Sequence, residues 1–132
     1  MATAPPLPGA NLEYAVLSAL WETGRASARD LHHRVGQPRG LVYTTITKVL
    51  DRLHAKRLVS RRREGRRFVY WPRQDREVID RQRMRDAVER LLAPEPGPAI
   101  AALVDEVEAV DPDLLDELSR LVQSKRRQRR GP

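Results

Sequence analysis

The sequence predicts a mainly α-helical protein that carries one small β-hairpin, with a further helical segment after it. Apolar residues recur at helical spacing over most of the chain, but over residues 58–71 the pattern alternates instead. A Pro-rich break at residues 94–98 separates the last helices from the rest. A chain of 132 residues, 40% of them hydrophobic, suffices for one small domain and an additional oligomerisation segment.

Two helices are predicted ahead of any other element. Residues 1–10 are rich in Pro, Ala and Gly and are expected to form a disordered lead. The first helix follows Asn11 as its N-cap and stops at Gly24, since glycine readily takes the conformation that ends a helix. Ser27 caps the second helix, and Asp30 three residues later completes a capping box.

A third helix is predicted over about residues 40–56, and it has two contrasting faces. The inner face carries apolar residues at helical spacing, namely Val42, Ile46, Val49, Leu50 and Leu53. Short hydroxyl side chains and basic groups, which can bond to bases and phosphates, dominate the opposite face. This outer face consists of Tyr43, Thr44, Thr45, Thr47, Lys48 and Arg52.

The pattern changes from helical to alternating after the third helix. Residues 58–63 and 66–71 are two β-prone runs joined by a two-residue turn at Glu64 and Gly65. Three helices followed by a hairpin, or wing, are the order of the winged helix-turn-helix, which binds DNA with a helix in the major groove. We therefore predict a DNA-binding domain over residues 11–74. Arginines cluster around the tip of the hairpin: Arg61, Arg62, Arg63, Arg66 and Arg67.

The distribution of charge agrees with this interpretation. Residues 1–74 contain 14 basic and 5 acidic residues, a net charge of +9, whereas residues 75–119 have a net charge of −8 and residues 120–132 one of +6. A basic surface attracts polyanions such as DNA. Taken singly, the third helix could be an ordinary core helix, and the arginines could protect an exposed sheet edge from aggregation. The two together, in this order, favour nucleic-acid binding.

Residues 75–124 are predicted to form a helical dimerisation domain. A helix over about residues 75–92 precedes the Pro-rich break, and two short helices follow, the second capped by Asp111. Their narrow apolar stripes are too small for a separate core, so a second copy is expected to cover them, with packing on the N-terminal domain as the alternative. Residues 125–132 are expected to be a disordered basic tail. The predicted dimer contacts are Val78, Ile79, Val88, Leu91, Leu103, Val107, Leu114, Leu115, Leu118, Leu121 and Val122.

Three runs carry a resemblance to a known family. They are LEYAVLSALWETGRASARDL from residue 12, LVYTTITKVLDRLHAKRLVSRRREGRRFVYWP from residue 41 and DPDLLDELSRLV from residue 111. Over about residues 12–122 the chain resembles the penicillinase-repressor family (BlaI/MecI type). The resemblance implies a dimeric repressor at promoters, and two-fold symmetry then requires a palindromic operator. It also implies Tyr43, Thr44, Thr45, Thr47 and Lys48 in the groove of double-stranded DNA, and Arg52, Arg61, Arg63, Arg66 and Arg67 on its backbone.

Two features of the resembled family have no counterpart in this sequence. Members induced by proteolysis are cut by a membrane sensor protease at an Asn–Phe bond, but the corresponding region here reads Leu103-Val104-Asp105-Glu106-Val107. The sequence therefore leaves open whether a sensor protease is a partner. Copper-responsive relatives use paired cysteines, and this chain has none. No cofactor and no metal are expected.

Two other functions stay open, and two classes are not expected. A ligand-responsive regulator of the multiple-antibiotic-resistance type would need an apolar cavity. The small number of aromatic residues argues mildly against such a cavity. A protein-interaction module would use the acidic residues 75–119. An enzyme is not expected, because there is no Gly-rich phosphate loop and His32, His33 and His54 lack metal-ligand spacing. No secretory leader or membrane-spanning run is recognised, so we expect a cytoplasmic protein.

Overall fold

A computed structural model describes residues 11–131, and it confirms the mainly helical fold with a small hairpin. The predicted lead over residues 1–10 lies outside the described residues. The helices are α1 (Leu12–Thr23), α2 (Ala28–Leu31), α3 (Tyr43–Ala55), α4 (Arg76–Leu92), α5 (Pro96–Val110) and α6 (Asp113–Arg130). The strands are β1 (Ala26–Ser27), β2 (Val59–Glu64) and β3 (Arg67–Pro72).

The ends of the first two helices follow from local chemistry. Gly24 ends α1 with a positive φ of 82°, as predicted, whereas Asn11 occupies the N-cap position without making a side-chain cap bond. The capping box before α2 is confirmed. The Ser27 hydroxyl accepts a hydrogen bond from Asp30 N at 3.2 Å, and Asp30 Oδ2 accepts one from Ser27 N at 3.0 Å. These bonds to Ser27 lower the pKa of Asp30.

The chain between α2 and α3 makes a π-helical turn over His32–Gly36 and a 3₁₀ turn over Gln37–Arg39. A Cβ atom at Gly36 would lie 2.7 Å from His32 Cδ2 and 3.0 Å from Ile46 Cγ1. Only glycine leaves room for this close approach, so Gly36 lets the turn pack directly on α3.

The three strands form one antiparallel sheet in the order β1-β3-β2, and β1 was not predicted from the sequence. The predicted hairpin is present, but its turn is shifted by one residue. Glu64 pairs with Arg67, so the turn consists of Gly65 and Arg66, with Gly65 at φ 65°. Strand β1 is only two residues long and pairs with β3 at Val69 and Tyr70, which local alternation cannot reveal.

The core of the first unit lies between α1, the inner face of α3 and the sheet. The predicted inner face is correct except at its first position. Val42 is 64% exposed because α3 begins at Tyr43 and Val42 is its N-cap. The other four members of that face, Ile46, Val49, Leu50 and Leu53, are completely buried.

The chain divides into two compact units between Met84 and Arg85, within α4, and not after residue 74 as predicted. The first turns of α4 belong to the N-terminal unit because they are hydrogen-bonded to α1. The Tyr14 hydroxyl donates a hydrogen bond to Asp80 Oδ1 at 2.6 Å. Ile79 is 1% exposed and packs in the core, so its assignment to a dimer surface was wrong.

The second unit comprises residues 85–131, and none of these residues is buried. Helices α5 and α6, which were predicted to be short, have 15 and 18 residues. The Asp111 carboxylate accepts a hydrogen bond from Asp113 N at 3.0 Å, but α6 begins at Asp113, and Pro112, not Asp111, occupies its N-cap position. Helix α6 continues to Arg130, so the basic tail that was predicted to be disordered is helical up to that residue.

Replacing Ser27 by alanine is expected to lower the free energy of unfolding by about 1 kcal/mol, the usual cost of losing an N-cap oxygen. The buried Ser27 hydroxyl accepts from Asp30 N, which would lose its partner. Urea denaturation measures the difference. Ser119→Ala on the exposed surface of α6 is the control and should change stability little. Equal stability of the two variants would show that the capping box contributes nothing.

Candidate nucleic-acid interface

The outer face of α3 points away from the protein because the opposite face is buried in the core. Four of its six residues are exposed, and Thr45 and Thr47 are half-buried. The side chains of Lys48 and Arg52 make no hydrogen bond or ion pair with any other residue of the described chain. Their charges are therefore available to a partner in solution.

The N-terminal end of α3 also presents polar groups. Val42, at the N-cap, makes no side-chain cap bond, so the helix end keeps its affinity for an anion. Tyr43 is 47% exposed, and its ring packs edge-to-face on His32 with centroids 5.9 Å apart. His32 lies 2.9 Å from the Leu41 carbonyl oxygen, which fixes its ring. The Thr47 hydroxyl donates to the Thr44 carbonyl oxygen at 2.9 Å and can still accept a hydrogen bond.

Arg61 joins the wing, the β2–β3 hairpin, to α3. Its guanidinium donates to Asp51 Oδ1 at 3.2 Å and lies 4.6 Å from the centre of the Phe68 ring. Burial raises the pKa of the Tyr70 hydroxyl, and the Arg61 guanidinium opposes that rise. Arg61 was predicted to contact DNA, and the structure shows its side chain engaged by Asp51 and Phe68 within the protein.

Glu64 neutralises part of the charge at the wing. Its carboxylate accepts hydrogen bonds from Arg25 at 2.7 Å and from Arg62 at 2.8 Å. These two guanidinium groups, Arg62 first, lower the pKa of Glu64. Arg25 was not predicted to belong to this surface, because it is 39 residues from Glu64 along the chain. The remaining wing arginines, Arg63, Arg66 and Arg67, are exposed.

A groove of about 710 Å³ lies between α3 and the wing. Its lining includes five of the ten predicted DNA-binding residues, together with Arg29 and Asp51, which the prediction left out. The other five lie outside the lining, on α3 and at Arg63. The lining combines hydroxyl groups and four arginines with two carboxylates. It consists of Ser27, Ala28, Arg29, Tyr43, Thr47, Asp51, Arg61, Glu64, Arg66, Arg67, Phe68 and Tyr70.

Residues 11–131 contain neither a metal site nor a membrane-spanning helix. No group of three or more His, Asp or Glu side chains there is arranged to hold a metal ion. None of the helices in that range combines the length and the apolar character needed to cross a bilayer. The groove between α3 and the wing is a candidate site in this part of the chain, and its groups suit a phosphate-rich ligand.

Comparison with known proteins identifies similar transcriptional regulators. The family model described as penicillinase repressor matches residues 10–124. Transcriptional regulator BlaI of Mycobacterium tuberculosis is 38% identical over 111 residues, which are 83% of this chain and 79% of that protein. An uncharacterised 16.5 kDa protein of Latilactobacillus sakei is 27% identical over 113 residues, which are 86% of this chain and 77% of that protein.

A solved structure also matches the chain. The solution structure of the DNA-binding domain of the repressor BlaI is 25% identical and aligns with a TM-score of 0.49. The match covers 58% of this chain and 90% of that domain.

Replacing Glu64 by glutamine is expected to strengthen binding to duplex DNA, because it releases Arg25 and Arg62 for phosphates. The slope of log affinity against log salt should steepen by about 0.9 for each arginine that gains a phosphate contact. Fluorescence anisotropy with a labelled duplex at several salt concentrations measures this slope. Glu77→Gln, exposed on α4, is the charge-matched control. Identical slopes for the two variants would mean that Glu64 restrains no DNA-binding group.

Proposed function

The chain belongs to the penicillinase repressor family, and from this premise we propose that it is a homodimeric repressor that binds a palindromic promoter operator. The supporting observation is the groove in which the open face of α3 stands beside the arginine-bearing wing. A helix and a neighbouring hairpin in this relation suit a major groove and its flanking backbone. A protein with this function acts in the cytoplasm, where promoter DNA lies.

The first part of the proposal assigns roles to the outer face of α3. Tyr43, Thr44 and Thr47 are near its N-terminal end, where side chains of a recognition helix reach base edges. Lys48 lies one turn after Thr44 and is exposed, so its ammonium group is available to a guanine or a phosphate. Thr45 is half-buried and is assigned to the edge of the contact.

The second part assigns the backbone contacts. Arg66 and Arg67 lie at and beside the turn of the wing, and both line the groove. Arg63 donates to the Gly65 carbonyl oxygen at 3.3 Å and remains exposed. Arg52 lies in the last turn of α3. Guanidinium groups in the groove, at Arg66 and Arg67, and beside it, at Arg52 and Arg63, can hold a phosphate backbone, which gives affinity independent of base sequence.

The third part of the proposal concerns the dimer. None of the residues 85–131 is buried, yet this unit carries large exposed apolar side chains. Helical stripes that cover no core of their own are stabilised by a second copy, and the resulting symmetry requires a palindromic operator. The residues assigned to this contact are Val78, Val88, Leu91, Leu103, Val107, Leu114, Leu115, Leu118, Leu121 and Val122.

Induction by a sensor protease forms no part of the proposal. Residues 103–107 lie in the middle of α5 and contain no Asn–Phe pair.

Lys48→Ala is expected to weaken binding to operator fragments by about 1–3 kcal/mol, because a base or phosphate contact is lost. Arg66→Ala and Arg67→Ala should each reduce the salt slope by about 0.9. The fragments come from genome-wide mapping of binding sites, and gel-shift titrations measure the affinities. Arg81→Ala, exposed on α4, is the control. Wild-type affinity and slope in all three variants would refute the assigned contacts.

Leu121→Asp is expected to convert the dimer into a monomer, because it places a charge in the predicted contact. Leu121 is 56% exposed, so the fold of the isolated chain should tolerate the change. Val110→Asp introduces the same charge at an apolar residue that is 78% exposed and outside the assigned contact. Sedimentation equilibrium measures both masses. A monomeric wild-type protein, or a dimer that survives Leu121→Asp, would contradict this assignment.

A further inference from the structure

A second cavity, of about 310 Å³, lies at the base of the wing in the N-terminal unit. It shares no lining residue with the groove between α3 and the wing. Its walls come from the chain after α3, from both ends of the hairpin and from the first part of α4. The lining residues are Lys56, Arg57, Leu58, Arg73, Gln74, Ile79 and Gln82.

The lining of this cavity is strongly cationic. It contains one lysine and two arginines, and no carboxylate. Lys56 Nζ donates to Glu13 Oε1 at 2.8 Å. The exposed side chains of Arg57 and Arg73 make no hydrogen bond or ion pair with any residue of 11–131. A concave surface with an excess of one charge concentrates ions of the opposite charge.

Gln82 adds an independent indication of a ligand. Its Oε1 is the single buried side-chain N or O atom without a hydrogen-bond partner in the described part of the chain. Buried polar groups are nearly always paired, so an orphaned oxygen beside a cavity indicates a missing donor. A donor group on a bound molecule would satisfy it.

The backbone of Arg57 has a conformation that is unusual for a residue other than glycine. Its φ is 61°, and it is the one described residue other than glycine with a positive φ. Leu58 N donates to the Leu53 carbonyl oxygen at 2.9 Å, so Arg57 occupies the position after a helix where glycine or asparagine is usual. This conformation costs an arginine more than a glycine, and it places Arg57 in the lining of the cavity.

We propose that this cavity binds a small anion that carries a phosphate or carboxylate group and a hydroxyl. Arg57 and Arg73 bind the anionic oxygens, and Gln82 Oε1 accepts a hydrogen bond from the hydroxyl. Leu58 and Ile79 supply an apolar wall. The volume is at the lower limit for ligand pockets, which suits a phosphomonoester group or a hydroxycarboxylate.

The test titrates the full-length protein with potassium phosphate and, separately, with citrate, using potassium chloride of equal ionic strength as the blank. Isothermal titration calorimetry gives the affinity, and the identity of the better probe separates a phosphate from a carboxylate ligand. Arg57→Asn and Arg73→Gln are each expected to weaken binding by at least about tenfold. Asparagine is chosen at 57 because it tolerates a positive φ. Arg81→Gln removes the same charge from exposed α4 and should leave the affinity unchanged.

Gln82→Leu distinguishes a ligand contact from a structural role. It removes an unpaired buried oxygen, so the unliganded protein should melt at a higher temperature while phosphate or citrate binds more weakly. A lower melting temperature with unchanged affinity would overturn the proposal. An equal loss in Arg81→Gln, or no wild-type binding at millimolar concentrations, would also overturn it. A reduced salt slope for duplex DNA in Arg57→Asn and Arg73→Gln would assign these arginines to DNA instead.

Discussion

The complete burial of one face of α3 is the constraint on which the candidate interface depends. Ile46, Val49, Leu50 and Leu53 are fully enclosed by α1 and the sheet, so α3 cannot rotate about its axis without exposing them. Removing such side chains from a core costs several kcal/mol each. The outer face is therefore fixed in direction by packing on the other side of the helix, and its polar residues need no interactions of their own to stay exposed.

Packing on α3 alone would not fix the wing. A two-stranded hairpin is marginally stable in isolation, and this one gains a third strand through β1 and a lateral attachment through Arg61. Arg61 contacts Asp51 on α3 and Phe68 on β3, so it links the two walls of the groove. This role requires the guanidinium to stay within the protein. Arg61 therefore shapes the surface that Arg66 and Arg67 present.

The sequence predicted what is encoded locally and missed what is encoded by contacts across the fold. The capping box of Ser27 and Asp30, the inner face of α3 and the hairpin all depend on neighbours a few residues apart, and the structure contains all three. The bridge of Arg25 and Glu64 has no local signal. Ile79 belongs to an apolar stripe that fits a core and a dimer surface equally well, and only the packing on α1 decides between them. The sequence also could not place the turn of the hairpin to within one residue, because glycine suits either position of a two-residue turn.

The Glu64 carboxylate limits the number of free arginines on this strongly basic unit. It holds Arg25 and Arg62, which would otherwise be free to bind any phosphate. Non-specific affinity comes almost wholly from such contacts, and a genome offers a vast excess of competing non-specific sites. An arginine that must first leave a carboxylate contributes less to a loose encounter. It contributes its full binding free energy only where close docking of α3 and the wing compensates for the broken ion pair. If the proposed function holds, the ion pairs of Glu64 therefore lower the affinity for random DNA more than the affinity for a well-fitted operator, and the ratio of the two affinities rises.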